Sequence, residues 1–191
     1  MSESSLANKI ILVTGSARRI GAAIVTRLHT EGARVAIHYR GSAASATELA
    51  DRLNASRPDS AAIFQADLLR TDDMPRLVED VVTWGGKLDA LVNNASTFYP
   101  TPVGEITESH WNDLVGSNFK APLFLSQAFS VTLYAFGLAE SLRILWAGAP
   151  VQLLAFVIVV GVGALAFRGA DLALRIQVQA GIGAINLELG E

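Results

Sequence analysis

Cysteine is absent from the 191 residues, which excludes disulfides, thiolate zinc sites and thiol nucleophiles together. Histidine is scarce, and His29, His38 and His110 are too scattered to form a metal cluster. An excess of positive charge is missing as well: 15 Lys and Arg against 18 Asp and Glu leave a formal charge of -3, so no global basic field exists to hold nucleic acid. Any chemistry here uses hydroxyls, carboxylates, amines or a bound cofactor. The length fits one domain of ordinary size and excludes a large multidomain machine.

Charge is also scarce locally. Residues 1–128 hold 26 charged side chains, whereas residues 129–191 hold 7. Within the second stretch, the 24 residues 144–167 have Trp146 and Gln152 as their only hydrogen-bonding side chains, and Arg143 and Arg168 bracket them. A bilayer needs about 20 apolar residues in a helix, so hydropathy predicts a membrane span over 144–167. A pair of buried strands within 153–160 is the alternative, but a parallel strand rarely continues into so long an uncharged run. Residues 1–7 read as a polar leader without the apolar core of a signal peptide.

The first stretch alternates strand and helix. Residues 9–14 form a short β-branched run ending at Gly15, and 20–28 follow with helical spacing of apolar residues. The alternation continues with strands at 34–38, 61–65 and 88–92 and helices near 45–55 and 73–84. A further helix is expected over 108–128, bent or interrupted by Pro122. Strands separated by helices imply right-handed crossovers, hence an α/β fold: a Rossmann-type doubly wound parallel sheet of about four strands.

Ligands in such sheets sit outside the carboxyl ends of the strands. After the first strand, Gly15 permits a tight turn and Gly21 lets the helix pack close, leaving helix amides to face a pyrophosphate. Arg19 stands where the common dinucleotide fingerprint has its middle glycine. A glycine turn without a ligand remains the plainer alternative. After the second strand, His38-Tyr39-Arg40-Gly41-Ser42 contains no acid to bond a ribose 2′-hydroxyl. Arg40, with Arg18 across the groove and the Ser42 hydroxyl, favours NADP over NAD; a solvated loop arginine is the alternative for Arg40. Asp67 either accepts a bond from an adenine amino group or caps the segment that follows it. Asn93 and Asn94 offer donors and acceptors to a ribose and to backbone.

These motifs, from Thr14-Gly15 through Gly21, with Asp67 and Asn93-Asn94-Ala95-Ser96, resemble the short-chain dehydrogenase/reductase family. The finer pattern, Arg18-Arg19-Ile20-Gly21 with 38–43 and 93–102, resembles the pteridine reductases within it, over about residues 9–128. The resemblance implies NADPH-dependent reduction of a pterin or dihydrofolate-like ring. It implies a cofactor site made of Gly15, Arg18, Arg19, Ile20, Gly21, His38, Tyr39, Arg40, Ser42, Asp67, Leu68, Asn94, Ala95 and Ser96. In it Arg19 and Ser96 contact cofactor phosphate and the polar edge of the pterin, and Phe98 stacks on the pterin face, unless Phe98 is an ordinary core aromatic. Asn118 matches the family asparagine that shapes a proton-relay water site. Intact family members oligomerise, and a cytoplasmic location is expected for 1–128.

The family also needs a further strand with Ser or Asp, then Tyr-x-x-x-Lys, in which the lysine lowers the tyrosine pKa for proton delivery. Tyr39, Tyr99 and Tyr134 are followed four places on by Ala43, Val103 and Leu138, and the lysines are Lys9, Lys87 and Lys120. Residues 144–167 resemble a transmembrane stretch of amino-acid and cation-chloride transporters. The expectation is a partial NADP-binding domain, 1–128, joined to an apolar helical segment, 129–191, with impaired catalysis. A nucleotide-binding half-domain without enzymatic activity, tethered to a membrane, is the alternative.

Overall fold

Four short runs of mostly aliphatic residues form the sheet: β1 Ile10–Val13, β2 Arg34–Tyr39, β3 Ala61–Gln65 and β4 Ala90–Val92. The computed structural model describes residues 6–143 together with 150, 153, 156, 157, 160 and 161. All four strands pair in parallel, in the order β3-β2-β1-β4. Parallel neighbours need crossovers, and α1 Arg19–Thr30, α2 Ala43–Ser56 and α3 Asp73–Gly85 supply them. The chain winds outward from β1 to β3, then returns to the other side of β1 as β4. The strand order therefore reverses between β1 and β4, where a Rossmann-type sheet opens a crevice.

The two-residue period of a strand explains why β1 is apolar throughout. Ile10 and Leu12 face one side, packing with Met74, Leu77, Val78 and Val81 of α3. Ile11 and Val13 face the other, with Val25 of α1 and Leu49 and Leu53 of α2. All four β1 residues are buried. At the amino end of the strand Asp89 anchors the sheet: its Oδ2 accepts the Ile10 N–H at 2.8 Å, and its Oδ1 accepts Lys87 Nζ at 2.9 Å and Lys9 Nζ at 3.3 Å. Burial raises the pKa of this carboxyl, but the hydrogen bonds from Ile10, Lys87 and Lys9 outweigh it and hold the net value below the usual range.

Beyond β4 lie α4 Glu108–Val115, a π-helical turn Gly116–Lys120 and α5 Ala121–Arg143. The expected interruption at Pro122 takes the form of that wide turn. Proline has no N–H for residue 118 and its ring crowds that carbonyl, and the wider turn lets the helix pass without ending. The helix also continues to Arg143 rather than stopping at Ala128. The fall in charge at 129 marks composition and not a backbone signal, since no proline intervenes before Pro150.

The chain divides into two units, Met1–Leu133 and Tyr134–Glu191. The first carries the sheet and α1 to α4. Of the second, the structure describes the end of α5 and a few positions beyond. Most of the candidate span 144–167 lies outside the described residues. Among the described residues, no helix is long and apolar enough to cross a membrane.

Candidate functional site

The ends of β1 and β4 are laced together by Thr14. Its N–H and its hydroxyl both donate to the Val92 carbonyl, at 3.0 and 3.3 Å, and its Oγ1 accepts the N–H groups of Asn94 at 2.9 Å and Ala95 at 3.0 Å. Asn94 completes the lacing, its Nδ2 donating to the carbonyls of Thr14 at 2.9 Å and Gly15 at 3.2 Å. The Asn94 side chain thus bonds backbone, the second of its two expected uses. Gly15 turns with φ +62°, and a Cβ there would lie 2.8 Å from Ala95 Cα. Glycine alone takes both that backbone and that contact without strain.

Arg19 also has positive φ, +53°, at the position where the common fingerprint carries glycine. A left-handed conformation costs an L residue about 1 kcal/mol, which the surrounding turn must offset. No side-chain hydrogen bond from Arg18 caps α1. The first amides of the helix therefore keep their donors for an anion.

The expected cofactor residues converge. Gly15, Arg18, Arg19, Ile20 and Gly21 from the turn, His38 and Arg40 from the β2 end, Asp67 and Leu68 after β3, and Asn94, Ala95 and Ser96 after β4 line one open groove of about 370 Å³. Tyr39 and Ser42 line an adjoining cavity of about 560 Å³ with Arg18 and Arg40. The Arg18 guanidinium donates to Ser42 Oγ, tying the two loops together. Asp67 Oδ1 accepts the Leu69 N–H at 3.1 Å, so the capping use expected of it is present. Leu69, Thr97 and Ser117 also line the groove. Sequence reasoning missed them, as it missed the lacing by Thr14, because only tertiary folding brings these positions to the crevice.

His38 is buried, with 2% of its surface exposed. Its Nδ1 accepts the Gly15 N–H at 3.0 Å and its Nε2 faces the Ala66 carbonyl at 3.2 Å, which requires a neutral ring protonated on Nε2. Burial pushes its pKa down to about 4 against the Ala66 hydrogen bond and the Asp67 charge, both of which raise it. The unfolded chain takes up a proton near pH 6.5 that the fold refuses until about pH 4. Stability should therefore fall by about 3 kcal/mol as pH drops through that window. Urea unfolding as a function of pH checks this: His38→Asn should flatten the loss between pH 6.5 and 4, and an unchanged slope would count against it.

Phe98 is 90% exposed and is not a core aromatic. Asn118 uses both ends of its amide on one residue, Oδ1 accepting the Thr97 N–H at 3.0 Å and Nδ2 donating to the Thr97 carbonyl at 2.7 Å. Its side chain thereby clamps the segment after β4 to the π-helical turn.

Residues 9–138 match the family model of short chain dehydrogenases. The chain belongs to this family. Among relatives of this short chain dehydrogenase, Pteridine reductase 1 of Leishmania tarentolae is 43% identical over 152 residues, 63% of this chain and 53% of that protein. The 3-oxoacyl-[acyl-carrier-protein] reductase FabG of Staphylococcus epidermidis is 35% identical over 113 residues, 59% of this chain and 46% of that one. A solved short-chain dehydrogenase/reductase mutant from Serratia marcescens superposes with TM-score 0.64 at 31% identity, covering 66% of this chain and 51% of its own. The chain spans about half the length of the relatives it matches. The 191 residues contain no Tyr-x-x-x-Lys. Tyr99 is a poor substitute: desolvation and a hydrogen bond with Asp113 raise its pKa, the reverse of what a lysine partner does.

Proposed function

We propose that this short chain dehydrogenase binds NADP(H) in the β1–β4 crevice and that its chemistry is reduction of a pterin or dihydrofolate-like ring. The observation that carries the nucleotide reading is the Arg18–Ser42 bond beside Arg40, at a β2 end without a carboxylate. Two guanidinium groups and a hydroxyl suit a 2′-phosphate, and an acid would have repelled it. NADPH supplies a hydride when bound. The chain's own part is to seat the pyrophosphate on the α1 amides, with Gly15 and Gly21 allowing the approach. The pterin reading draws on the motifs around Arg18 and 93–102 and on the similarity to Pteridine reductase 1. Exposed Phe98 has a free ring to stack on a planar substrate.

The absence of Tyr-x-x-x-Lys favours a second reading, nucleotide binding with little or no turnover. Association with another chain has in its favour the exposed Trp111, Phe119 and Leu123 along α4 to α5. A membrane span over 144–167 and a junction near Ala128 rest on sequence composition alone. The test of the nucleotide reading is Arg40→Asp. Charge-assisted hydrogen bonds are worth about 1.5–3 kcal/mol, so NADPH affinity should drop roughly 10- to 100-fold while NADH affinity holds or rises. Equal affinity of the native chain for both nucleotides, by fluorescence titration, would sink the proposal.

A further inference from the structure

The turn after β1 spends its first two amides on a single residue. Gly15 N–H donates to the His38 ring at 3.0 Å, and Ser16 N–H donates to the His38 carbonyl at 2.9 Å. The far side of the ring reaches the Ala66 carbonyl at 3.2 Å, so one imidazole joins the β1 turn to the end of β3. On the opposite side Gly15 lies against Ala95, where even a methyl group would sit 2.8 Å from Cα. The turn is therefore gripped from both flanks. The amides that remain for an anion are those further on, at the amino end of α1.

We infer that His38 is the positioning residue of the nucleotide groove: its neutral ring, protonated on Nε2, holds the Gly15 N–H aside so that the α1 amides face the phosphates. This rests on the nucleotide reading above. The requirement for an acceptor at Nδ1 has a consequence for acid. Protonation would place an N–H against the Gly15 N–H, two donors at hydrogen-bond distance, and release the turn. The charged groups around the ring are Asp67 after β3, Arg18 and Arg19 in the turn and Arg40 after β2, all on the walls of the same groove. The hydrogen bond to the Ala66 carbonyl and the Asp67 charge favour the protonated ring, while burial outweighs both and keeps the ring neutral at pH 7. The latch thus holds at neutral pH and opens only in acid.

The experiment uses the full chain, labelled with nitrogen-15, with NADPH as probe. At pH 7 the His38 ring should show the Nε2–H tautomer, the Gly15 amide should be protected from hydrogen exchange, and both signatures should disappear together as His38 titrates in acid. His38→Asn keeps an acceptor where Nδ1 stands. It should weaken NADPH less than His38→Leu does and retain Gly15 protection at acid pH. His38→Leu removes the acceptor and should weaken NADPH at least tenfold and expose the Gly15 amide, with the Leu12 and Ile37 amides still protected. An Nδ1–H tautomer or an unprotected Gly15 amide in the native chain overturns the inference, whether or not His38→Leu folds. Equal losses in His38→Asn and His38→Leu overturn it too. Both signatures in a native chain that does not bind NADPH would uphold the latch and overturn the nucleotide reading.

Discussion

Replacing Gly21 with alanine is expected to cost about 3 kcal/mol of stability and to remove measurable nucleotide binding. A Cβ at Gly21 would lie 2.5 Å from the Gly15 carbonyl oxygen, 2.6 Å from Ser16 Cα and 2.7 Å from Asn94 Nδ2. The first two are backbone atoms of a turn already gripped between His38 and Ala95, so the collision cannot be relieved by a side-chain rotation. Helix α1 would have to back away from the sheet, taking its amino end out of line with the groove. Asn94 would also lose its place against the carbonyls of Thr14 and Gly15. Gly41→Ala is the control, because a Cβ there meets nothing within 4 Å. It should change stability by no more than about 0.5 kcal/mol. Urea unfolding and NADPH titration of the two variants make the comparison, and matching behaviour would refute the close-packing account of Gly21.

The 191-residue chain by itself is expected to oxidise NADPH in the presence of biopterin or dihydrofolate at least ~10³-fold more slowly than a pteridine reductase that carries Tyr-x-x-x-Lys. A positioned proton donor is worth ~10²–10⁴-fold, and orientation of the two reactants adds to that. No tyrosine here has a lysine four places on. Tyr99 is shifted the wrong way by desolvation and Asp113. Asn118 has its side-chain amide committed to Thr97. The assay is NADPH oxidation by purified chain, repeated with Phe98→Ala and Asn118→Ala. Rapid turnover by the native chain, lost in both variants, would show that some other residue of this chain delivers the proton.

The sequence by itself determined the alternation of strand and helix, because both periods are local. Ala61–Gln65 falls where its aliphatic run predicts, and α3 begins at Asp73 as the apolar spacing requires. Gly15, Gly21 and the acid-free β2 end were equally legible, since a tight turn after a strand and a missing carboxylate are properties of consecutive residues. Where the helix after β4 would end was not, because low charge density is a statement about solvent and not about backbone, and α5 passes through it to Arg143. Nor were the roles of the polar residues. Asn94 reads as a group shared between ribose and backbone, and His38 and Asn118 as groups aimed at a ligand; the partners each finds are backbone groups of segments 20 to 80 residues away in sequence. A side chain's partners depend on which strand ends meet, and the order β3-β2-β1-β4 is what brings Thr14 to Asn94 and His38 to Gly15. The buried nitrogens of His38 must be paired, and the half-buried Asn94 and exposed Asn118 find backbone partners only where the fold brings Thr14 and Thr97 beside them.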